Sequence, residues 1–287
     1  MRTLKTSEAA TMLNVSANTL RAWERRFDYP KPQRTAGKHR VYVFGEVAAL
    51  RDALRDGLSI SSAVSRARES LRSDTHILVG ALASFELERA DGAMEAALAM
   101  RSVERTVEEV LLPSLGELAR RNGTDSATWA VGGRWGIEWL RRAQRMTPPP
   151  VLPGSILIGD ATEDDLDGDA PTVRALELFL GRTGIRIASI PVGAYNGVAD
   201  LVTAIRPSAV IIAGNTATDE EIARFAYAVR SAAGTLPLAL FQRGREQVSR
   251  TSSVIPLSAS PSEATAQALA MLDNRHAVMA LPVRSTT

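Results

Sequence analysis

The segment Thr147-Pro-Pro-Pro-Val-Leu-Pro-Gly154 divides the chain into two parts with different hydrophobic periods. Four prolines and a glycine in eight residues stiffen the backbone and remove donors, so neither a helix nor a central strand passes through. Upstream, apolar residues recur at three- and four-residue spacing. Downstream, short apolar runs alternate with helical stretches. A chain of 287 residues also exceeds one ordinary core, so two or three domains are expected.

The downstream runs are Ser155–Gly159, Ile185–Val192, Ala209–Gly214, Pro237–Phe241 and Val254–Leu257. Helical patterns at Pro171–Thr183, Gly197–Ile205, Asp219–Ala233 and Pro261–Leu272 lie between and after them. Strand–helix alternation of this kind predicts a flavodoxin-like, doubly wound parallel sheet of five strands. The last dozen residues read as a loose tail. Upstream of the linker, His76–Arg89, Gly92–Met100, Val103–Arg121 and Ser126–Met146 read as four helices with short joints, hence a four-helix bundle. The expected organisation is therefore multidomain α and α/β. Residues 1–75 form a head, 76–146 a bundle, 147–154 a linker and 155–287 the α/β domain.

The head carries the chemistry. Residues 1–75 hold 14 basic and 8 acidic side chains, while the remainder holds 20 and 24. A basic module on a slightly acidic body suits nucleic acid, although charge alone is equally compatible with a solvated surface. Residues 5–13 read as a short helix capped by Thr6 or Ser7, and Asn14-Val15 as a turn. A second helix follows from Ala17 to Phe27, capped by Ser16. The pair has the helix-turn-helix arrangement. Tyr29-Pro-Lys-Pro32 stops the second helix. Arg34–Val43 reads as a hairpin with Ala36-Gly37 near its tip, and helices follow at Phe44–Asp56 and from Ile60 to about Leu71.

On the second helix, Leu20, Trp23 and Phe27 share one face, and Asn18, Arg21 and Arg25 the other. Such a helix can enter the major groove of double-stranded DNA, where arginine pairs with guanine and asparagine with adenine. The hairpin adds Arg34, Lys38, His39 and Arg40, cations suited to phosphate or minor-groove contact.

The run Thr19-Leu-Arg-Ala-Trp-Glu-Arg-Arg26, with Pro32-Gln-Arg34, Gly37 and Arg40-Val-Tyr42, resembles the MerR family of winged-helix regulators over residues 3–70. The resemblance implies a DNA-binding transcription regulator, at least a dimer on a pseudo-palindromic promoter site. It adds Thr19 and Tyr42 to the expected DNA contacts. Head, bundle and sheet together resemble the CarH and LitR type of light-responsive repressor, which holds adenosylcobalamin between bundle and sheet. The segments Val110–Leu118, Leu157–Gly159 and Arg174–Gly184 carry that part of the likeness.

Here the chemistry departs from the group. Its bundle places a Trp ten residues before a Glu-His pair, whereas Trp129 is followed ten residues later by Trp139 and Leu140. Its lower-face histidine sits in an Asp-x-His-x-x-Gly loop. In this chain Asp167-Gly-Asp-Ala-Pro-Thr172 comes into register, with Asp169 replacing the histidine. His39, His76 and His276 lie in other elements. The expectation is a degenerate cobalamin-binding domain, no cofactor, and a repressor independent of cobalamin. The alternatives are a cobalamin-dependent photoreceptor or an interaction protein acting through a partner regulator.

Trp129, Trp135 and Trp139, with Asp167 and Asp169, are candidates for a small-molecule pocket. A packed helix interface is the competing role for the tryptophans. The acidic loop Glu163–Asp169 could hold a hard cation or act as a phosphoacceptor, or be simply solvated. A response-regulator-like phosphoacceptor needs a lysine late in the sheet, and lysine occurs only at positions 5, 31 and 38. No metal site is expected. With no cysteine and no nucleophile–base pair or Gly-rich phosphate loop, no enzyme is expected either. The start lacks a signal peptide's apolar stretch, and no apolar run is long enough to span a membrane, so a cytoplasmic protein is expected.

Overall fold

The computed structural model describes residues 3–34, 39–194, 196–234, 236–241 and 254–279, in two compact units, Met1–Gly123 and Thr124–Thr287.

In the first unit a three-stranded antiparallel sheet, β1 (Thr3–Lys5), β3 (Arg40–Val43) and β2 (Gln33–Arg34), lies beside α1 (Thr6–Met12) and α2 (Ala17–Phe27). Leu4, Ala9, Leu13, Leu20, Tyr42, Val47 and Leu50 close one core, with Trp23 packed at its edge. Helix α3 (Phe44–Arg55) leads into α4 (Ile60–Ala83), and α5 (Leu87–Met100), α6 (Val103–Thr106) and α7 (Leu112–Asn122) complete the unit. Helices α5 and α7 both pack on α4.

Three local expectations are corrected. The first helix is capped at Lys5 rather than Thr6 or Ser7, because Glu8 reaches back to the Lys5 N–H at 2.6 Å. The expected helices from Ile60 and His76 are one element to Ala83, since neither glycine nor proline falls between residues 61 and 79 to stop it. The break comes instead at Ser84–Glu86, where Phe85 takes φ +60°. Val103–Arg121 is not one regular helix: a π-helical turn, Val107–Leu111, precedes α7. Pro113, at the start of α7, has no N–H for the Glu109 carbonyl, so the hydrogen-bond ladder changes step there.

In the second unit, strands β4 (Ser155–Asp160), β5 (Arg186–Pro191), β6 (Ala209–Ala213), β7 (Leu238–Phe241) and β8 (Val254–Pro256) form one parallel sheet ordered β5-β4-β6-β7-β8. That is the 2-1-3-4-5 order of the flavodoxin-like doubly wound fold. Buried on both faces, β4 and β6 read as continuous apolar runs. Helices α9 (Ala170–Arg182) and α12 (Pro261–Met279) cover one face through Leu176, Leu180, Ala264 and Leu272. Helices α10 (Val198–Ile205) and α11 (Asp219–Ala233) cover the other through Val202, Phe225 and Val229. Helix α8 (Ala127–Arg145) packs on α9. Helix α12 runs seven residues past the expected Leu272, and the rest of the expected tail, 280–287, lies outside the described residues. Among the described residues, no helix is long and apolar enough to cross a membrane.

Candidate nucleic-acid interface

The α1–α2 turn is built by local chemistry. Asn14 takes φ +54°, a left-handed conformation that asparagine tolerates better than most residues. The Val15 N–H returns to the Ala10 carbonyl at 3.0 Å. Ser16 then starts α2, its Oγ accepting from the Thr19 N–H at 3.0 Å. Fully buried Leu20 fixes the rotation of α2 against α1, a burial contributing about 1.5–3 kcal/mol. The opposite face is thereby forced outward, and Asn18, Arg21 and Arg25 are all exposed. The helix ends at Asp28, in the left-handed region at φ +48°, one residue before the proline-bearing segment.

Strand β3 is held against α2 by a residue that side-chain patterning had left unassigned. Glu24 accepts from the Tyr42 hydroxyl and pairs with Arg40 Nε at 3.4 Å, so one carboxylate joins the helix to the hairpin. Burial and the Glu24 carboxylate push the Tyr42 hydroxyl up to about 12.

Arg21 from α2 and His39 and Arg40 from the hairpin line one groove of about 660 Å³, together with Lys5 at the end of β1 and Thr6 and Ser7 at the start of α1. No carboxylate is among its lining residues. A concave surface with three permanent cations and a histidine is suited to a polyanion. Lys5 went unnoticed as a contact because it precedes the helix-turn-helix; only β1–β3 pairing, Lys5 opposite Val41, brings it beside the hairpin.

Two of the expected contacts are corrected. Tyr42 is fully buried, with its hydroxyl engaged by Glu24, so it supports the hairpin instead of facing solvent. The Thr19 hydroxyl is shared with Ser16 at 2.8 Å and Thr19 is half-buried, so it belongs to the cap. The hairpin's tip, with Lys38, lies outside the described residues, and Arg34 is described in its backbone only, paired with Arg40.

The second candidate site, at the carboxyl edge of the parallel sheet, is filled by its own side chains. Trp129 is buried and donates its indole N–H to the Leu166 carbonyl at 2.7 Å. Arg141 binds Asp165 through two nitrogens at 2.7 and 2.8 Å. Helix α8 thus ties down the acidic loop, and Trp129 is a packing residue, in place of the expected pocket wall. Trp135 is also buried and Trp139 half-buried. Asp167 accepts from the Glu163 and Asp169 amides, each at 2.9 Å, and from the Thr216 hydroxyl. Asp169 occupies the N-cap position of α9.

Asp160 ends β4 at the switch point, where such sheets take ligands. Its carboxylate pairs with Arg174, which also binds Glu177. The loops after β4 and β6 are joined across the crevice: the Thr216 and Ala217 amides donate to the Ala161 carbonyl at 3.1 and 2.8 Å. Cobalamin ligated through this loop would need a nitrogen donor for cobalt. The β4–α9 loop offers carboxylates and amide-bonded turns, and the histidines lie at the hairpin, in α4 and in α12. The residues present do not fit cobalamin ligated by the protein.

The family model described as MerR family regulatory protein matches residues 5–42. The HTH-type transcriptional repressor CarA of Myxococcus xanthus is 30% identical over 233 residues, covering 73% of this chain and 76% of that protein. Among solved structures, the methanol:cobalamin methyltransferase complex MtaBC from Methanosarcina barkeri aligns with a TM-score of 0.35 at 17% identity. That alignment covers 77% of this chain and 92% of that one.

Proposed function

Given that the chain belongs to the MerR family of regulatory proteins, and is therefore a DNA-binding transcription regulator related to CarA, we propose that it is an operator-specific repressor acting without cobalamin. The observation that carries the reading is the convergence of Arg21, His39, Arg40 and Lys5 on one groove free of lining carboxylates. In this reading a dimer places two α2 helices in successive major grooves. Asn18, Arg21 and Arg25 face the base edges, and Arg40 and His39 lie along the flanking phosphates. Repression follows if the bound protein excludes polymerase from the promoter. Independence from cobalamin is supported by the β4–α9 loop, which carries no imidazole and is tied to α8 through Asp165 and Leu166. The reading assigns the protein no reaction.

A gel-shift titration of the full chain on its own upstream DNA, in the dark with and without adenosylcobalamin, tests both parts. Specific binding of equal affinity in the two conditions is the expected result. Binding that cobalamin tightens and light reverses would make the protein a photoreceptor and overturn the second part.

Arg21→Ala and Arg40→Ala separate the two kinds of contact. Arg21→Ala is expected to narrow the gap between operator and scrambled DNA by about 1–3 kcal/mol, one bidentate base contact. Arg40→Ala is expected to weaken both DNAs alike and to reduce the salt slope by about one unit. Unchanged operator preference in Arg21→Ala would show that another element reads the bases.

A further inference from the structure

The carboxyl end of α2 is pinned by residues that lie outside the helix-turn-helix and its hairpin. Helix α2 ends at Phe27, and residues 28–32 carry the chain on to β2, with Pro30 buried. The Lys31 N–H donates to Glu46 Oε1, at the start of α3, at 3.2 Å. The same oxygen accepts from Arg105 Nη1, on α6, at 2.7 Å. Burial and the Glu46 carboxylate push the Tyr29 hydroxyl above its ordinary range, so the Tyr29 phenol also lies beside this pair.

Arg105 is a fixed post. Its backbone N–H donates to Ser102 Oγ at 3.1 Å, and Ser102 is buried. Its guanidinium binds both oxygens of Glu109, in the π-helical turn, at 2.7 and 3.0 Å. Glu109 also pairs with Arg101 at 3.6 Å, and Arg101 with Asp74 of α4 at 2.7 Å. Beside Glu46, Gly45 brings α3 into backbone contact with the end of α5. A Cβ at Gly45 would stand 2.5 Å from the Ala99 carbonyl oxygen and 3.2 Å from Met100 Cα. Both contacts are with backbone, so no flexible side chain can give way.

We propose that Glu46 and Arg105 are positioning residues for operator recognition, seating the exit of α2 on α6 and so fixing where Asn18, Arg21 and Arg25 meet the DNA. The inference rests on α2 being the helix that reads the bases. Leu20 fixes the rotation of α2 and Glu24 ties it to the hairpin, while Glu46 holds its carboxyl end. Base contacts need side chains within about 0.5 Å of their productive positions, whereas phosphate attraction is far less directional. A displaced α2 therefore loses operator binding before it loses binding to DNA in general.

Titration of the full chain on its own upstream DNA and on a scrambled duplex tests the proposal, the readout being the ratio of the two affinities. Partial unfolding removes competent protein from both titrations alike and leaves that ratio unchanged. Glu46→Leu and Arg105→Ala are each expected to lower the ratio about tenfold, the equivalent of one bidentate base contact. Glu46→Gln, which keeps an oxygen for the Lys31 N–H, is expected to fall between wild type and Glu46→Leu. An unchanged ratio in both Glu46→Leu and Arg105→Ala overturns the proposal, as does a Glu46→Gln no better than Glu46→Leu. Should either variant lose its native near-UV spectrum, Gly45→Ala and Arg105→Lys take its place. The first forces α3 off Ala99, and the second cannot bridge Glu46 and Glu109; an unchanged ratio in both overturns the proposal. Arg21→Ala measured alongside separates the two readings. A ratio lost in Arg21→Ala but kept in Glu46→Leu and Arg105→Ala overturns the positioning role alone, whereas a ratio kept in Arg21→Ala overturns its premise as well.

Discussion

Arg174→Ala is expected to destabilise the sheet unit by about 3–5 kcal/mol, the cost of breaking a buried pair from one side. Arg174 is the guanidinium shared by Asp160 at the end of β4 and Glu177 on α9, and all three side chains are at least 86% buried. Its removal strands two carboxylates at the switch point. The Thr162 amide and hydroxyl, at 3.0 and 2.6 Å from Asp160, offset only part of the loss, and they do nothing for Glu177. Arg174→Lys is expected to fall between wild type and alanine, because an ammonium cannot bridge two carboxylates as a planar guanidinium does. Tryptophan fluorescence in urea reads this unit selectively, since Trp129, Trp135 and Trp139 belong to it and only Trp23 lies elsewhere. With a slope of about 1–3 kcal/mol/M, the midpoint of Arg174→Ala should fall by about 1 M or more. An unchanged midpoint would show that water solvates Asp160 and Glu177, and that the crevice is open to a ligand after all.

The same contrast between local and distant interactions separates what the sequence made legible from what it did not. Helix α2 could be read to the residue because its signals are local: Ser16 at the cap, Leu20 and Trp23 one turn apart, arginines opposite. The strands of the parallel sheet were legible as apolar runs, since burial on both faces leaves a composition that needs no partner to recognise. Tyr42 was misassigned because a short strand shows alternation without showing which face is inside. The sign was decided by Glu24, eighteen residues away. Trp129 likewise satisfies its N–H thirty-seven residues away, at Leu166, so periodicity placed the ring on a helix face without saying whether it walls a pocket or plugs one. The buried ionic network of Glu46, Arg105, Glu109, Arg101 and Asp74 was wholly illegible. Its charges come from α3, α4, the α5–α6 turn, α6 and the π-helical turn, and no spacing rule links position 46 to position 105.

Arg105→Ala is expected to destabilise the first unit by about 3–5 kcal/mol at neutral pH, again by stranding a buried charge. Arg105 supplies the short contact to Glu46 and two of the contacts to Glu109, and its guanidinium is held protonated well above the usual range by those carboxylates despite its burial. What distinguishes this variant is the pH dependence of its defect. Burial already raises the Glu46 carboxyl, with Arg105 the principal opposing influence and the Lys31 amide a lesser one. Without Arg105 the carboxyl rises further. A carboxyl raised in the folded state contributes stability that is complete below its unfolded value, about 4.3, and is lost as pH rises through the folded value. The penalty of Arg105→Ala should therefore be greatest at pH 7–8 and shrink as pH is lowered toward 5. The adjoining groups, Tyr29, Arg101 and Glu109, are common to both proteins. Glu46→Gln in the same background removes the stranded charge and should recover part of the lost stability at pH 7, but little at pH 5. Hydrogen exchange of the α3 amides, residues 44–55, reads the effect locally at each pH. A penalty that stayed the same from pH 8 to pH 5 would show that the loss is one of packing and not of a stranded carboxylate.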